Sequence, residues 1–153
     1  MRFGFIGTGN MGGALARAAR RRLAGEDLLL ANRTEAKAAA LAKELGAPLS
    51  NNRTIAGNAD YIFLGVKPQM MGELLAEIGP ELGGRKDRFV LVTMAAGLSI
   101  RDIQDMAGGD YPVLRVMPNT PCSIGEGMIL YTPGPGVTAA ETDSFLEACL
   151  LYT

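Results

Sequence analysis

Short, nearly unbroken apolar runs alternate along this chain with longer stretches whose apolar positions recur at helical spacing. The runs at 2–6 (RFGFI), 27–32 (DLLLAN), 60–66 (DYIFLGV), 88–94 (RFVLVTM) and 112–117 (PVLRVM) read as strands. Continuous rather than alternating hydrophobicity is expected of strands covered on both faces. Between them, residues 10–24 read as a helix with Met11, Leu15 and Ala18 on one face and Gly25 as its stop. Residues 34–45 are alanine-rich and helical, with Thr34 placed to cap and Gly46 to end them. Pro68 suits the first turn of a helix running to about Ile78. Ser99, with Asp102 three residues on, opens a short helix. A further strand at 127–132 (GMILYT) leads through the turn TPGPG to a last helix, where Thr138 and Glu141 form a capping box. Strand–helix alternation predicts an α/β fold: a doubly wound, mostly parallel sheet with right-handed crossovers and helices on both faces. The last helix stops on apolar CLLYT, which reads as packing against something outside this chain, or else as covering the sheet edge.

Composition narrows the chemistry. The 153 residues, 48% hydrophobic, fit one domain with a real core. With a net charge of −1 and no long basic run, no nucleic-acid partner is expected. Arg17 and Arg20 to Arg22 read as a solvated helix end. No apolar run reaches the ~20 residues of a membrane span, and no leader pattern precedes the first strand. Cys122 and Cys149 show neither metal nor disulfide-framework spacing, so thiols in a reducing cytoplasm, and no metal, are expected. There is no histidine, which removes Ser-His-Asp and Cys-His hydrolysis and His-ligated zinc together. An enzyme built this way would rely on a cofactor.

The stretch FIGTGNMGGALA supplies a candidate. Gly7, Gly9 and Gly12 stand at dinucleotide-binding spacing, between a predicted strand and a predicted helix, with a second strand ending near residue 32. Gly7 would permit the turn, Gly9 the approach of a pyrophosphate, and Gly12 the close packing of helix on strand. The amides of Asn10 and Met11 would face the phosphates. A glycine-rich turn without a ligand is the alternative. After the second strand, where an NAD site usually carries Asp or Glu, the chain reads Asn32, Arg33, Thr34. No carboxylate stands there to repel a 2′-phosphate, and Arg33 can fork onto one, with Lys37 a turn further on. NADP(H) is therefore expected, with NAD(H) possible. A surface arginine paired with Glu35 is the plainer reading.

FIGTGNMGGALA, ANRT, SNN, FLGVKPQ, TMAAGLSI and RVMPNTP occur in the order found in pyrroline-5-carboxylate reductase, and the chain resembles that family over nearly its whole length. The resemblance implies a Rossmann-type domain over 1–137 that binds NADP(H). It places Ile6, Gly7, Thr8, Gly9, Asn10, Met11 and Gly12 in the pyrophosphate loop, and Asn32, Arg33 and Thr34 at the adenosine ribose and its 2′-phosphate. Asn52 falls on the adenosine side. Gly65, Val66, Lys67 and Pro68 stand where the family has AVKP, beside the nicotinamide riboside. Met94, Ala95, Ala96 and Gly97 border the nicotinamide, and Asn119 lies near nicotinamide and substrate as the one catalytic candidate. Two of these keep plainer alternatives: a surface salt bridge for Lys67, an ordinary turn for Asn119.

The implied reaction is reduction of the small-molecule substrate 1-pyrroline-5-carboxylate to L-proline, the last step of proline synthesis, in the cytoplasm. Residues 138–153 would begin a helix leading to a helical domain that makes the homo-oligomer and receives the imine. The 153 residues alone are then expected to bind cofactor with little turnover. Another NADP-dependent imine or β-hydroxyacid reductase, or a non-catalytic NADP(H)-binding module, are the competing readings.

Overall fold

Alternate residues of each buried strand point to opposite faces of a sheet, so a strand apolar throughout needs helices on both sides. The structure, a computed structural model, describes residues 1–118 and 129–149. Among these, strands β1 (Phe3–Ile6), β2 (Leu28–Ala31), β3 (Tyr61–Leu64), β4 (Val90–Thr93), β5 (Val113–Pro118) and β6 (Ile129–Pro133) form one sheet in the order β2-β1-β3-β4-β5-β6. The first five are parallel: Phe5 stands beside Leu30 on one side and Phe63 on the other. β6 runs antiparallel to β5, with Arg115 opposite Thr132. The order reverses between β1 and β3, and a crevice opens there at the C-terminal ends of the strands.

Helices cover both faces. On one, α1 (Asn10–Arg20), α2 (Glu35–Leu45) and α6 (Ala139–Cys149) bury Leu15, Leu41 and Phe145 against Phe3, Phe5, Phe63 and Val92. On the other, α3 (Asn52–Asn58), α4 (Met71–Gly83) and α5 (Ile100–Ala107) pack Ile55, Leu75 and Ile103 against Ile62, Leu64 and Leu91. The doubly wound fold expected from the sequence is borne out.

Several boundaries move, each for a physical reason. α1 ends at Arg20, not near residue 24. The Arg20 guanidinium donates to the carbonyls of Leu23 and Leu45, which holds the chain as it turns back towards β2. Gly25 is not a helix stop. It begins a 3₁₀ turn, and a Cβ there would strike the Gly46 carbonyl, so its role is close approach. The arginine cluster is only partly a solvated end, because Arg17 also clasps Glu44 across to α2. A 3₁₀ turn at Pro68–Met70 precedes α4, which continues past Ile78 through Pro80 to Gly83. A helical proline removes one ladder bond, and the apolar face of α4 outweighs that loss. Thr34 is the N-cap of α2 by position, but its side chain makes no capping bond. α3 went unread: seven residues are too few for a period to show, although Asn51 caps it, accepting from the Thr54 amide at 2.9 Å.

The last helix is fastened to the sheet rather than left unpartnered as far as Cys149. Phe145, Ala148 and Cys149 are buried in the core, and the rest of CLLYT lies outside the described residues. The Tyr61 hydroxyl donates to the Glu141 carbonyl at 2.7 Å, and burial pushes that phenol up to about 12. The Glu141 carboxylate accepts from Arg88 Nε and Nη2 and from the Thr138 amide, and Arg88 also donates to the Gly136 carbonyl. Arg88 chiefly holds the Glu141 carboxyl below its usual range. A carboxyl lowered in the fold contributes stability above its unfolded value, and that contribution fades as pH falls through the lower folded value. Glu141→Gln is therefore expected to lower the melting temperature at neutral pH by a few degrees, about 1 kcal/mol for a lost cap. The gap between variant and wild type should narrow as pH falls below the usual carboxylate range. A gap independent of pH would remove the carboxylate from the account.

Candidate cofactor site

β1 delivers Gly7 to the crevice with φ +88°, a left-handed value that favours glycine. The backbone turns there directly into α1. A Cβ on Gly7 would lie 2.6 Å from the Gly65 carbonyl carbon. One on Gly12 would overlap the Gly7 carbonyl oxygen. The first turn of α1 is thus pressed against both β1 and the segment that follows β3. Gly9 differs: nothing lies within 4 Å of a Cβ built on it. It is the N-cap of α1, and no side chain caps it. The helix ladder begins with the Gly13 amide donating to the Gly9 carbonyl at 2.8 Å. The amides of Asn10, Met11 and Gly12 therefore stand outside the ladder at the positive end of the helix.

β2 ends at Ala31, and Asn32 ties its end to the glycine loop. Its Oδ1 accepts from the Thr8 amide at 3.1 Å, and its Nδ2 donates to the Thr34 carbonyl at 3.2 Å. Arg33 is exposed and has no carboxylate partner among the described residues; pairing with Glu35 does not occur. Its Nη1 lies 3.8 Å from Met70 Sδ, over a cavity of about 320 Å³ that Ile6, Gly7, Asn52 and Val66 also line. Asn52 is the first residue of α3, half-buried beneath that cavity.

The sequence reading missed the opposite wall, made by Met70, Glu73, Leu74 and Glu77. Glu73 and Glu77 stand one turn apart on α4, a spacing that marks a shared helix face but not which cavity it meets. Thr8, Gly9 and Asn10 border a second cavity, of about 570 Å³, between α1 and α2.

The remaining candidates line neither cavity. Lys67 is exposed and without an ion-pair partner among the described residues, just ahead of the turn at Pro68. Met94, Ala95, Ala96 and Gly97 follow β4 on the same edge of the sheet, beside the segment that follows β3. Ala95 is buried, while Ala96 and Gly97 are exposed, Gly97 with φ +80°. Asn119 lies outside the described residues, as does Cys122. Among the described residues no three His, Cys, Asp or Glu converge on a possible metal position, and no helix is long and apolar enough to cross a membrane.

A parallel sheet that reverses order at an open crevice, with a glycine turn and an uncapped helix N-terminus beside it, defines a Rossmann-type dinucleotide-binding domain. Residues 2–97 match the model of one family, and the chain belongs to it: NADP oxidoreductase, coenzyme F420-dependent. Over 150 residues, 95% of this chain and 54% of the relative, it is 36% identical to the pyrroline-5-carboxylate reductase of Escherichia coli. The Plasmodium falciparum pyrroline carboxylate reductase structure, which has NADP bound, superposes with TM-score 0.81 at 28% identity, covering 98% of this chain and 55% of that one. An imine reductase from Myxococcus stipitatus in complex with NADP⁺ superposes at 0.74 and 29%, covering 97% and 52%. The resemblance read from the motifs is borne out. The chain spans about half the length of the curated relatives it matches.

Proposed function

We propose that this chain is the nucleotide-binding part of an NADP(H)-dependent reductase of 1-pyrroline-5-carboxylate. The observation that carries the cofactor reading is the uncapped first turn of α1 at an open Gly9, with an unpaired arginine one loop away. The residues present fit a dinucleotide: amides at 10–12 for the diphosphate, Arg33 for a 2′-phosphate, and the 320 Å³ cavity with Asn52 for the adenosine side. Gly65 to Pro68 and Met94 to Gly97 would border the nicotinamide. When bound, the cofactor supplies hydride to the imine carbon.

The chain's own part is positional. Small residues at Ala95, Ala96 and Gly97 let a flat ring lie against backbone, and reacting atoms must be held within ~3–3.5 Å. Asn119 is proposed to orient ring and substrate, and Lys67 to attract the anions. A protonated imine is already electrophilic, so neither histidine nor a metal is required. Matches to pyrroline-5-carboxylate reductases over nearly the whole chain favour the cyclic imino acid, and L-proline as product. Homo-oligomerisation through a following helical domain, beginning with residues 138–153, and a cytoplasmic setting complete the proposal. The imine reductase superposition supports a second reading, reduction of another imine.

Two measurements test this. The chain is titrated with NADPH and NADH, and the protein is assayed for NADPH oxidation with 1-pyrroline-5-carboxylate against 1-pyrroline. Indifference to the carboxylate would favour the second reading, and absence of any dinucleotide binding would end both. Arg33→Asp is expected to weaken NADPH about 10- to 100-fold, the loss of charge-assisted bonds worth ~1.5–3 kcal/mol, and to leave NADH within a few-fold. Equal weakening of both would remove Arg33 from the 2′-phosphate.

A further inference from the structure

β6 is the last strand on its side of the sheet, and among the described residues nothing pairs with its outer edge. The opposite edge is guarded. β2 takes a bridge from Leu49 at Leu30, and the Ser50 amide donates to the Leu30 carbonyl at 2.7 Å. Edge strands are usually blunted by charge, a bulge or proline. β6 reads ILYTP, with no charge and its proline at the last position. Leu130 is 63% exposed, and Met117, which faces it across the hairpin, is 43% exposed. Tyr131, 44% exposed, stands one residue out of step with Leu130, so apolar surface is bare on both faces of the hairpin.

Arg115 gives this bare edge its chemistry. It lies in β5 between Thr93 of β4 and Thr132 of β6, on the face that Val113 shares with α5. Its Nε is buried without a hydrogen bond, and the guanidinium has no ion pair among the described residues. A buried cationic donor without a partner is costly. The two arginines ahead of β4 show the ordinary outcome in this fold. Arg85 donates to Asp87 and to the carbonyls of Ala56 and Ala59, and Arg88 to Glu141 and Gly136.

Arg115 needs an anion, and the bare strand beside it is a template for backbone pairing. One occupant meets both needs. Adjacent strands lie ~4.8 Å apart, so a residue opposite Thr132 on a strand added to β6 would stand ~10 Å from Arg115, within the joint reach of arginine and glutamate. A second copy of β6 does not serve, because it brings no carboxylate to either arginine. The relatives indicate a source, since this chain spans about half their length. We infer that an extended segment of the continuing chain, apolar and carrying a carboxylate, adds to β6 and pairs that carboxylate with Arg115. The inference rests on the reading of this chain as the nucleotide-binding part of a longer reductase. Because β5 leads to Asn119, the pair makes Arg115 a positioning residue, tying the stem of that segment to the other half of the protein.

The test compares this chain with the product of the full gene, in thermal melts and NADPH titrations. In the chain, Arg115→Met is expected to leave the melting temperature level or raise it by a few degrees, since a donor without a bond is removed. In the longer protein the same change leaves a carboxylate buried alone. The melting temperature should then fall by about 5 °C or more, with Arg115→Lys recovering part of the loss. That loss should shrink as pH falls below the usual carboxylate range, where the partner is protonated. Leu130→Lys should likewise cost little in the chain and several degrees in the longer protein. NADPH affinity stays within about twofold in every variant. Equal effects in the two proteins, or a loss in the longer one that ignores pH, overturn the inference, and NADPH binding in the same samples leaves the cofactor reading standing. A wild-type chain that dimerises in sedimentation and is dissociated by Leu130→Lys overturns it too, by assigning the edge to a second copy. A gene that ends with this chain overturns the inference together with the longer reductase. A longer protein that binds no dinucleotide overturns the cofactor reading, whatever Arg115 does.

Discussion

Gly9→Val should melt within about 4 °C of the wild-type domain and lose at least ~100-fold in affinity for NADPH and NADH alike. The two halves have separate causes. The backbone at Gly9, φ −73° and ψ −157°, is open to any residue, and a Cβ there meets no atom within 4 Å. The fold therefore loses only the difference between glycine and valine as an N-cap, about 1 kcal/mol, or ~2–4 °C for a domain of this size. The space that the isopropyl group enters is, on the present reading, the diphosphate's. It would push the phosphates away from the amides of 10–12, and a loss of ~2.8 kcal/mol is a factor of 100. Thermal melts and dinucleotide titrations on the same samples separate the two effects. Unchanged affinity for both cofactors would place the diphosphate elsewhere.

How far the sequence revealed this molecule depends on the length over which each signal is written. Phe3 to Ile6, Tyr61 to Leu64 and Val90 to Thr93 are buried at every residue, so their unbroken hydrophobicity announced covered strands and hence helices on both faces. Gly46 and Gly108 end their helices at positive φ, a use of glycine that the sequence shows directly for Gly46. Signals that are tertiary were misread. Gly25 looks like a helix stop from its neighbours in sequence, and only the approach of Gly46 explains it. Thr34 has the chemistry of a cap but leaves its bond unmade.

The site divides in the same way. The glycine spacing and the absence of a carboxylate after β2 were local and legible. That Arg33 stays unpaired is a matter of what does not reach it, and that Met70, Glu73, Leu74 and Glu77 close the crevice depends on how α4 docks. The groove between α1 and α2 was half visible, as Lys37 one turn into α2. The buried Thr8 hydroxyl in the same groove is a property of the packed structure alone.

The reverse of Gly9→Val is expected at Gly12, only three residues away. Gly12→Ala should lower stability by about 3 kcal/mol or more, which is ~6–12 °C in melting temperature, because its methyl group would occupy the place of the Gly7 carbonyl oxygen. That oxygen has little room to yield. Gly7 is itself held at φ +88°, its amide donates to the Ala31 carbonyl at 2.9 Å, and Gly65 presses on it from the far side. Relief would have to lift α1 off the sheet and uncover Leu15, Ala16 and Ala19. Gly72→Ala, in a helix and with nothing within 4 Å of the added Cβ, provides the control, and should stabilise by about 0.5–1 kcal/mol. Together the three variants separate the glycines by function: Gly9 makes room for a ligand, Gly12 for the chain itself, and Gly72 for neither. A Gly12→Ala domain that melts with the wild type would show that α1 does not lie as close to β1 as the backbone contact requires, and the amides of its first turn would then lose the fixed position on which binding of the diphosphate depends.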